Sequence, residues 1–366
     1  MDYKALFKEK LSKLLFLEID QEGFKKSINI PEYISFKNKE LFIPISSEYI
    51  TSNIQDKIKI ENLPIYYFIE GMLLTLGADK DISYSEDYKL LLMQIPESEE
   101  CGKSLVAKRV QEDRLEDAHL ILKGLIQVDE NEEYMKKLLL IGISIREKDS
   151  GFEEVLLEDI DEAKKLFNKM KEPYLYKGII LKDKTDYQGA KVEINEYLRR
   201  GGEQTPEIEM LMNDIENVTT YEKAVKLMEE EPEKAIGLFL SLLDKFQENP
   251  LIYYYLGVSY RKVGQFEKAI YYLLESLRIE SGILEVVNEL GLNYACIGNY
   301  EEAIKYFKKA FEASREVEIC TNIIMCYLNS GNLEDAKLHL RIAKELNKDD
   351  EIVQKIEKLI NKKENK

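Results

Sequence analysis

The feature that most restricts this chain is a phrase it repeats. KVGQFEKAI (Lys262–Ile270) returns as CIGNYEEAI (Cys296–Ile304) and again as NSGNLEDAK (Asn329–Lys337). Each copy runs Gly, polar, large apolar, two charged residues, Ala. The alanines stand at 269, 303 and 336, a period of 34 and then 33 residues. Such a period marks one small unit stacked on copies of itself, because a single unit cannot bury its own apolar face. Upstream of the first glycine, Tyr253, Leu256, Gly257 and Tyr260 recur at helical spacing and form one face. Gly264, Gly298 and Gly331 then sit where that helix must end in a left-handed residue. Gly257 and Ala269 are small, so two antiparallel helices can approach closely. Asn249–Pro250 reads as an N-cap followed by proline at the first helical position.

Set out in register, the copies agree over their full length. From Pro250 the shared positions hold Tyr253, Leu256, Gly257, Tyr260, Gly264, Phe266, Ala269, Leu273 and Ser276. From Leu284 they hold Val287, Leu290, Gly291, Tyr294, Gly298, Tyr300, Ala303, Phe307 and Ala310. From Val317 they hold Cys320, Ile323, Ile324, Tyr327, Gly331, Leu333, Ala336, Leu340 and Ala343. This pattern resembles the tetratricopeptide repeat. Only Ile324 departs from it, a branched residue in a small slot. The resemblance implies an all-α fold, a right-handed superhelix of antiparallel helix pairs. Weaker copies of the alanine phrase lie at Ala118, Ala163, Ala190 and Ala235, with irregular steps. The expected layout is therefore degenerate repeats over 99–249, three regular repeats over 250–350 and a capping helix over 351–366. KDSGFEEVLLED (Lys148–Asp159) reads as an insertion, and TPEIEMLMNDIE (Thr205–Glu216) as an additional or lengthened helix.

Residues 1–98 fall outside the resemblance and read as a small mixed region. Met1–Asp20 suits an amphipathic helix. Alternation in Tyr33–Ser46 suits a short hairpin around KNK or an extended segment. Leu63–Asp79 is too apolar for an exposed helix and reads as one buried against the first repeats.

Charge and motifs narrow the function. A formal net charge of −17 disfavours nucleic acid and an anionic membrane surface. The first residues lack the apolar core of a secretory signal, and no apolar run is long enough to span a bilayer, so a cytoplasmic protein is expected. Cys101, Cys296, Cys320 and Cys326 form no CxxC pair and read as free thiols. His119 and His339 have no second histidine at ligand spacing. Gly77–Asp87 lacks the glycine and glutamate spacing of a calcium loop. With no nucleotide, hydrolase or metalloprotease motif present, neither a cofactor, a metal nor an enzymatic activity is expected.

The tyrosine run Tyr253–Tyr255 is mainly packing. In the family it resembles, fixed first-helix positions line the concave surface of the superhelix. Carried over, these place Tyr254, Val258, Arg261, Asn288, Leu292, Thr321, Met325 and Asn329 in a groove. Tyr255 falls near its rim. The groove is mainly apolar and suits an extended or helical peptide. The Lys, Asn and Arg clamp by which some members bind C-terminal carboxylates is missing. Tyr254, Val258, Glu289, Glu318 and Asn322 stand at those slots. The expected function is a non-catalytic scaffold for a protein or peptide partner, with self-association left open. Two alternatives remain: a peptide-sensing bacterial regulator with an N-terminal effector module, and an enzyme housed in residues 1–98.

Overall fold

The computed structural model describes residues 2–28, 30–31, 33–46 and 64–364. Leu63, the first residue of the expected buried helix, lies outside them. Among the described residues are 19 α-helices and one two-stranded sheet. Backbone contacts divide the chain into two compact units, Met1–Met212 and Asn213–Lys366.

The N-terminal unit begins with α1 (Tyr3–Ser12), capped by the Asp2 side chain, which accepts from the Ala5 N–H at 3.0 Å. The expected helix over Met1–Asp20 stops there. Leu14–Ile19 forms β1 instead, antiparallel to β2 (Leu41–Ser46), in a register that sets Leu14 opposite Ser46 and Ile19 opposite Leu41. Four consecutive apolar residues, Leu14–Leu17, wrap around a helix but suit a strand that lies on a core. The hairpin expected within Tyr33–Ser46 is also corrected, since only its second half is strand. The KNK turn is held elsewhere: buried Asp87 accepts from the backbone N–H groups of Lys37 and Asn38 at 2.6 and 3.2 Å. In β2 the alternate residues Leu41, Ile43 and Ile45 are fully buried. Between the strands runs α2 (Gln21–Ser27).

The buried helix is present as α3 (Ile65–Ala78), followed by α4 (Ser85–Gln94). Three helix pairs come next: α5 (Ser98–Gln111) with α6 (Leu115–Val128), α7 (Glu132–Lys148) with α8 (Glu153–Leu166), and α9 (Glu172–Asp183) with α10 (Tyr187–Arg199). The expected insertion at Lys148–Asp159 is a single 3₁₀ turn, Ser150–Phe152, and the start of α8. One core cluster runs from Tyr3 to Ile180, so residues 1–98 share their interior with the first pairs. Contact there is backbone to backbone. A Cβ on Gly77 would strike the Leu120 carbonyl, one on Gly124 the Leu73 carbonyl, and one on Gly71 the Pro44 carbonyl of β2. These glycines let α3 lie between the sheet and α6.

In the C-terminal unit, α11 (Pro206–Leu227) contributes its second half and is the lengthened helix expected at Thr205–Glu216. After α12 (Pro232–Leu243) come the regular pairs α13 (Pro250–Lys262) with α14 (Phe266–Ile279), α15 (Leu284–Cys296) with α16 (Tyr300–Ser314), and α17 (Val317–Asn329) with α18 (Leu333–Leu346). The cap α19 (Glu351–Glu364) lays Val353, Ile356 and Ile360 on the last pair. Asn249 caps α13 as expected, accepting from the Leu251 N–H at 3.0 Å. Gly264, Gly298 and Gly331 have φ of 75°, 78° and 79°, the left-handed turn their position demands. Two helix pairs of the N-terminal unit make the same turn without glycine. Asp113 and Thr185 have φ of 57° and 62°, each five residues before a repeat alanine.

Candidate functional site

The candidate site is the outer face of the three first helices of the regular pairs. α13 touches α15, and α15 touches α17, so the helices lie side by side. Each is backed by its own second helix through a small residue. A Cβ on Gly257 would meet the Leu273 side chain, and one on Gly291 the Phe307 ring. Ser276 replaces the usual alanine of that layer, and its hydroxyl donates to the Pro250 carbonyl at 2.9 Å.

The eight expected residues divide into three groups. Tyr254, Leu292, Asn288, Met325 and Asn329 keep surface available to a partner. Tyr254 and Leu292 are half-buried, each leaning on the apolar core behind it. Met325 is 37% exposed and Asn329 ends α17 in solvent. Val258 and Thr321 form the second group, and they present little. They are 7% and 3% exposed, and the Thr321 hydroxyl is already donated to the Glu318 carbonyl at 2.7 Å. Arg261 stands alone in the third group. Its guanidinium donates twice to Glu289 of the next first helix, Nε to Oε2 at 2.7 Å and Nη2 to Oε1 at 3.1 Å. Burial pulls the Arg261 pKa down, but the Glu289 carboxylate outweighs it and holds the guanidinium firmly charged. Sequence reasoning missed this clasp. Its signal is an arginine late in one first helix and a glutamate near the middle of the next.

Two features set the chemistry of the face. Glu285 and Glu318 are exposed in the first turns of α15 and α17, so with Arg261 already paired the rim is acidic. The Asn288 Oδ1 is buried and has no hydrogen-bond partner among the described residues. A buried acceptor left unmade costs about 1–3 kcal/mol, which a bound N–H would recover. Leu251, 45% exposed in the first turn of α13, extends the apolar floor.

Apart from exposed Tyr271, the remaining tyrosines of this stretch are packing, with one change. Tyr253 is buried in the pair, as expected, and Tyr272 stacks on Tyr260 at 5.3 Å. Tyr255 does not form a rim. It stacks on Phe239 of α12 at 5.6 Å and meets Tyr221 edge-on at 5.8 Å. Burial pushes the Cys320 and Cys326 thiols up to about 11, and both act as core residues. No group of three His, Cys, Asp or Glu side chains among the described residues could hold a metal ion. No helix among them is long and apolar enough to cross a membrane.

Residues 248–316 match the family model of the tetratricopeptide repeat. No curated protein sequence matches the chain. Among solved structures, the chain is similar to a MamA protein at 19% identity, covering 48% of this chain and 90% of that one with a TM-score of 0.36. It is similar to YrrB, described as a tetratricopeptide protein with an unusual peptide-binding site, at 18% identity over 65% of this chain and 97% of that one, TM-score 0.29. A third is a thermophilic tetratricopeptide protein of Thermus thermophilus, at 20% identity, 50% and 95% coverage and TM-score 0.30.

Proposed function

This chain is a tetratricopeptide repeat protein, and we propose that it is a non-catalytic scaffold that holds a peptide segment of another protein along α13, α15 and α17. The observation that carries the reading is the buried, unpartnered Asn288 Oδ1 set among exposed apolar side chains on adjacent first helices. A peptide backbone supplies the N–H that this oxygen lacks. Leu251, Tyr254, Leu292 and Met325 offer apolar contact, and Glu285 and Glu318 favour a partner segment carrying Lys or Arg. Tyrosine and methionine suit this use, the first by rigid area and the second by adaptability.

The test uses substitutions that leave the interior alone. Leu251→Glu with Met325→Glu adds charge only to exposed positions. The wild-type chain is used to capture partners, which are identified by mass spectrometry and titrated back. The double variant is expected to weaken that binding by about 2 kcal/mol or more, with an unchanged melting curve. Equal affinity in the two chains would move the binding surface off these helices.

A further inference from the structure

The row of first helices does not stop at α17. Two positions are buried in each of α13, α15 and α17. One holds Ile252, Val286 and Ile319, the other Ser259, Asn293 and Cys326. The steps between them are 34 and then 33 residues. A further step of 34 reaches Val353 and Ile360 of α19, and both are buried in the same way. α19 touches α17, and Lys363 near its end donates to the carbonyl of Leu328 near the end of α17 at 3.2 Å. The cap therefore runs parallel to α17 and is turned about its axis as a fourth first helix.

This register sorts the exposed residues of α19 into two faces. One corresponds to the face that α13 and α15 turn onto their second helices with Gly257 and Gly291. On α19 that position is Lys358, and it is exposed, as suits a cap. The other face continues the candidate site. The same step of 34 residues carries Glu318, Thr321 and Met325 onto Ile352, Lys355 and Leu359, and Leu328 onto Lys362. Ile352 and Leu359 are 50% and 45% exposed, and Leu359 prolongs the line of Leu292 and Met325. Lys355 and Lys362 are exposed on the same stripe.

Charge changes sign along this face. Over α15 and α17 it carries Glu285 and Glu318, while Arg261 is bound to Glu289. Over α19 it carries Lys355 and Lys362. Glu351 meets Lys355 at 3.5 Å, but these side chains are 88% and 72% in solvent, and such a pair neutralises little.

We infer that the partner segment is itself polarised, with Lys or Arg over α15 and α17, apolar residues over Leu292, Met325 and Leu359, and Asp or Glu over α19. This rests on the first-helix reading above and adds to it a fourth helix and a charge pattern. Packed helices stand about 8–10 Å apart, and an extended chain advances about 3.3 Å per residue. The basic residue over α17 and the acidic one over α19 are therefore about three residues apart. Such a pattern fixes the segment's register, because shifting or reversing it sets like charges together.

The test uses the full chain and a random dodecapeptide library displayed on phage. Wild type should enrich peptides with Lys or Arg about three residues from Asp or Glu. One enriched peptide, labelled with fluorescein, is then titrated by anisotropy. Lys355→Glu with Lys362→Glu alters two exposed positions and should weaken that peptide at least about tenfold, with the melting curve little changed. Replacing the peptide's acidic residue by Lys should restore its binding to this variant and weaken its binding to wild type, a reciprocal change that damage to the fold does not produce. Two results would overturn the inference and leave the first-helix reading standing. They are enriched peptides without an acidic residue, or an enriched peptide that binds the lysine variant as tightly as wild type, in each case with binding still lost in Leu251→Glu with Met325→Glu. Peptides that bind this last variant as well as wild type, or no enrichment at all, would overturn both.

Discussion

The two units build the same motif from different materials. In the C-terminal unit the left-handed turn inside each regular pair is glycine, and Gly257 and Gly291 face side chains where the paired helices meet. In the N-terminal unit Asp113 and Thr185 adopt the left-handed turn within a pair, and besides glycines that face side chains, Gly142 and Gly178, those of α3 and α6 face backbone carbonyls. Charge differs as well. The N-terminal unit buries both partners of Glu70–Arg109 and sets Asp159 between His119 and Lys123, whereas buried Glu289 pairs with an Arg261 side chain that is 31% exposed. A signature residue can thus be lost where the surrounding contacts hold its conformation. A glycine against a carbonyl has no such substitute, because a backbone cannot rotate away.

The buried charges should separate the units most. Asp159→Ala should destabilise the N-terminal unit by about 3–5 kcal/mol, since Lys123 and His119 lose their shared carboxylate in the interior. Glu289→Ala should cost the C-terminal unit less, about 1–2 kcal/mol, because the partly exposed Arg261 can turn toward water once its buried partner is gone. Urea titrations read by unit-resolved hydrogen exchange measure both, and equal costs would erase the contrast.

Glycine contacts come next. Gly124→Ala should cost about 3 kcal/mol by forcing α6 off α3. Gly257→Ala should cost less, about 1–2 kcal/mol, because a Cβ there would lie 2.5 Å from the buried Leu273 Cγ, a side chain that must shift but can do so where a carbonyl cannot. A Gly257 variant as damaging as the Gly124 variant would mean that both units are packed alike.

Acid sensitivity should follow the same division. Burial pushes the Asp159 carboxyl up, but His119 and Lys123 outweigh it and leave its pKa below the ordinary value. Asp117 is likewise pushed up by burial and held low overall by Lys10 and Arg114. A lowered folded-state pKa contributes stability that is complete above the unfolded value near about pH 4 and is lost as pH falls through the folded value. The N-terminal unit should therefore weaken as pH drops below about 4, and Asp159→Asn should flatten that slope. A slope unchanged in Asp159→Asn would place the acid sensitivity elsewhere.

The turns should move stability least. Thr185→Gly should stabilise by about 0.5–1 kcal/mol, since a β-branched residue strains the left-handed region. Gly298→Ala should cost about 1 kcal/mol for the reverse reason. Melting curves of the two variants shifting in the same direction would show that the turns are not equivalent.

Much of the C-terminal unit is legible in the order of its residues. The period, the glycine turns and the small residues at 257 and 291 are local statements about helix length, φ and side-chain size, and any chain carries such statements along its length. The candidate face is legible only in part. Helical spacing places all eight residues on first helices, but spacing is blind to depth. It does not show that Val258 and Thr321 are buried, that Arg261 is already paired, or that Tyr255 fills the space beside Phe239.

The N-terminal unit marks the other limit. Leu63–Asp79 announces a buried helix by composition alone, since no solvent-exposed helix carries so many apolar residues. Its neighbours cannot be read the same way. Leu14–Ile19 becomes a strand because Leu41–Ser46 lies ready to pair with it, and Asp113 and Thr185 turn left-handed because the helices on either side are already fixed. Residue order alone settles where the chain repeats, where its regular helices end and which residues are small enough to let them meet. Strand pairing, ion partners and the seating of α1 were left to the tertiary structure, because each depends on contacts between residues far apart along the chain, whose energies no local pattern records.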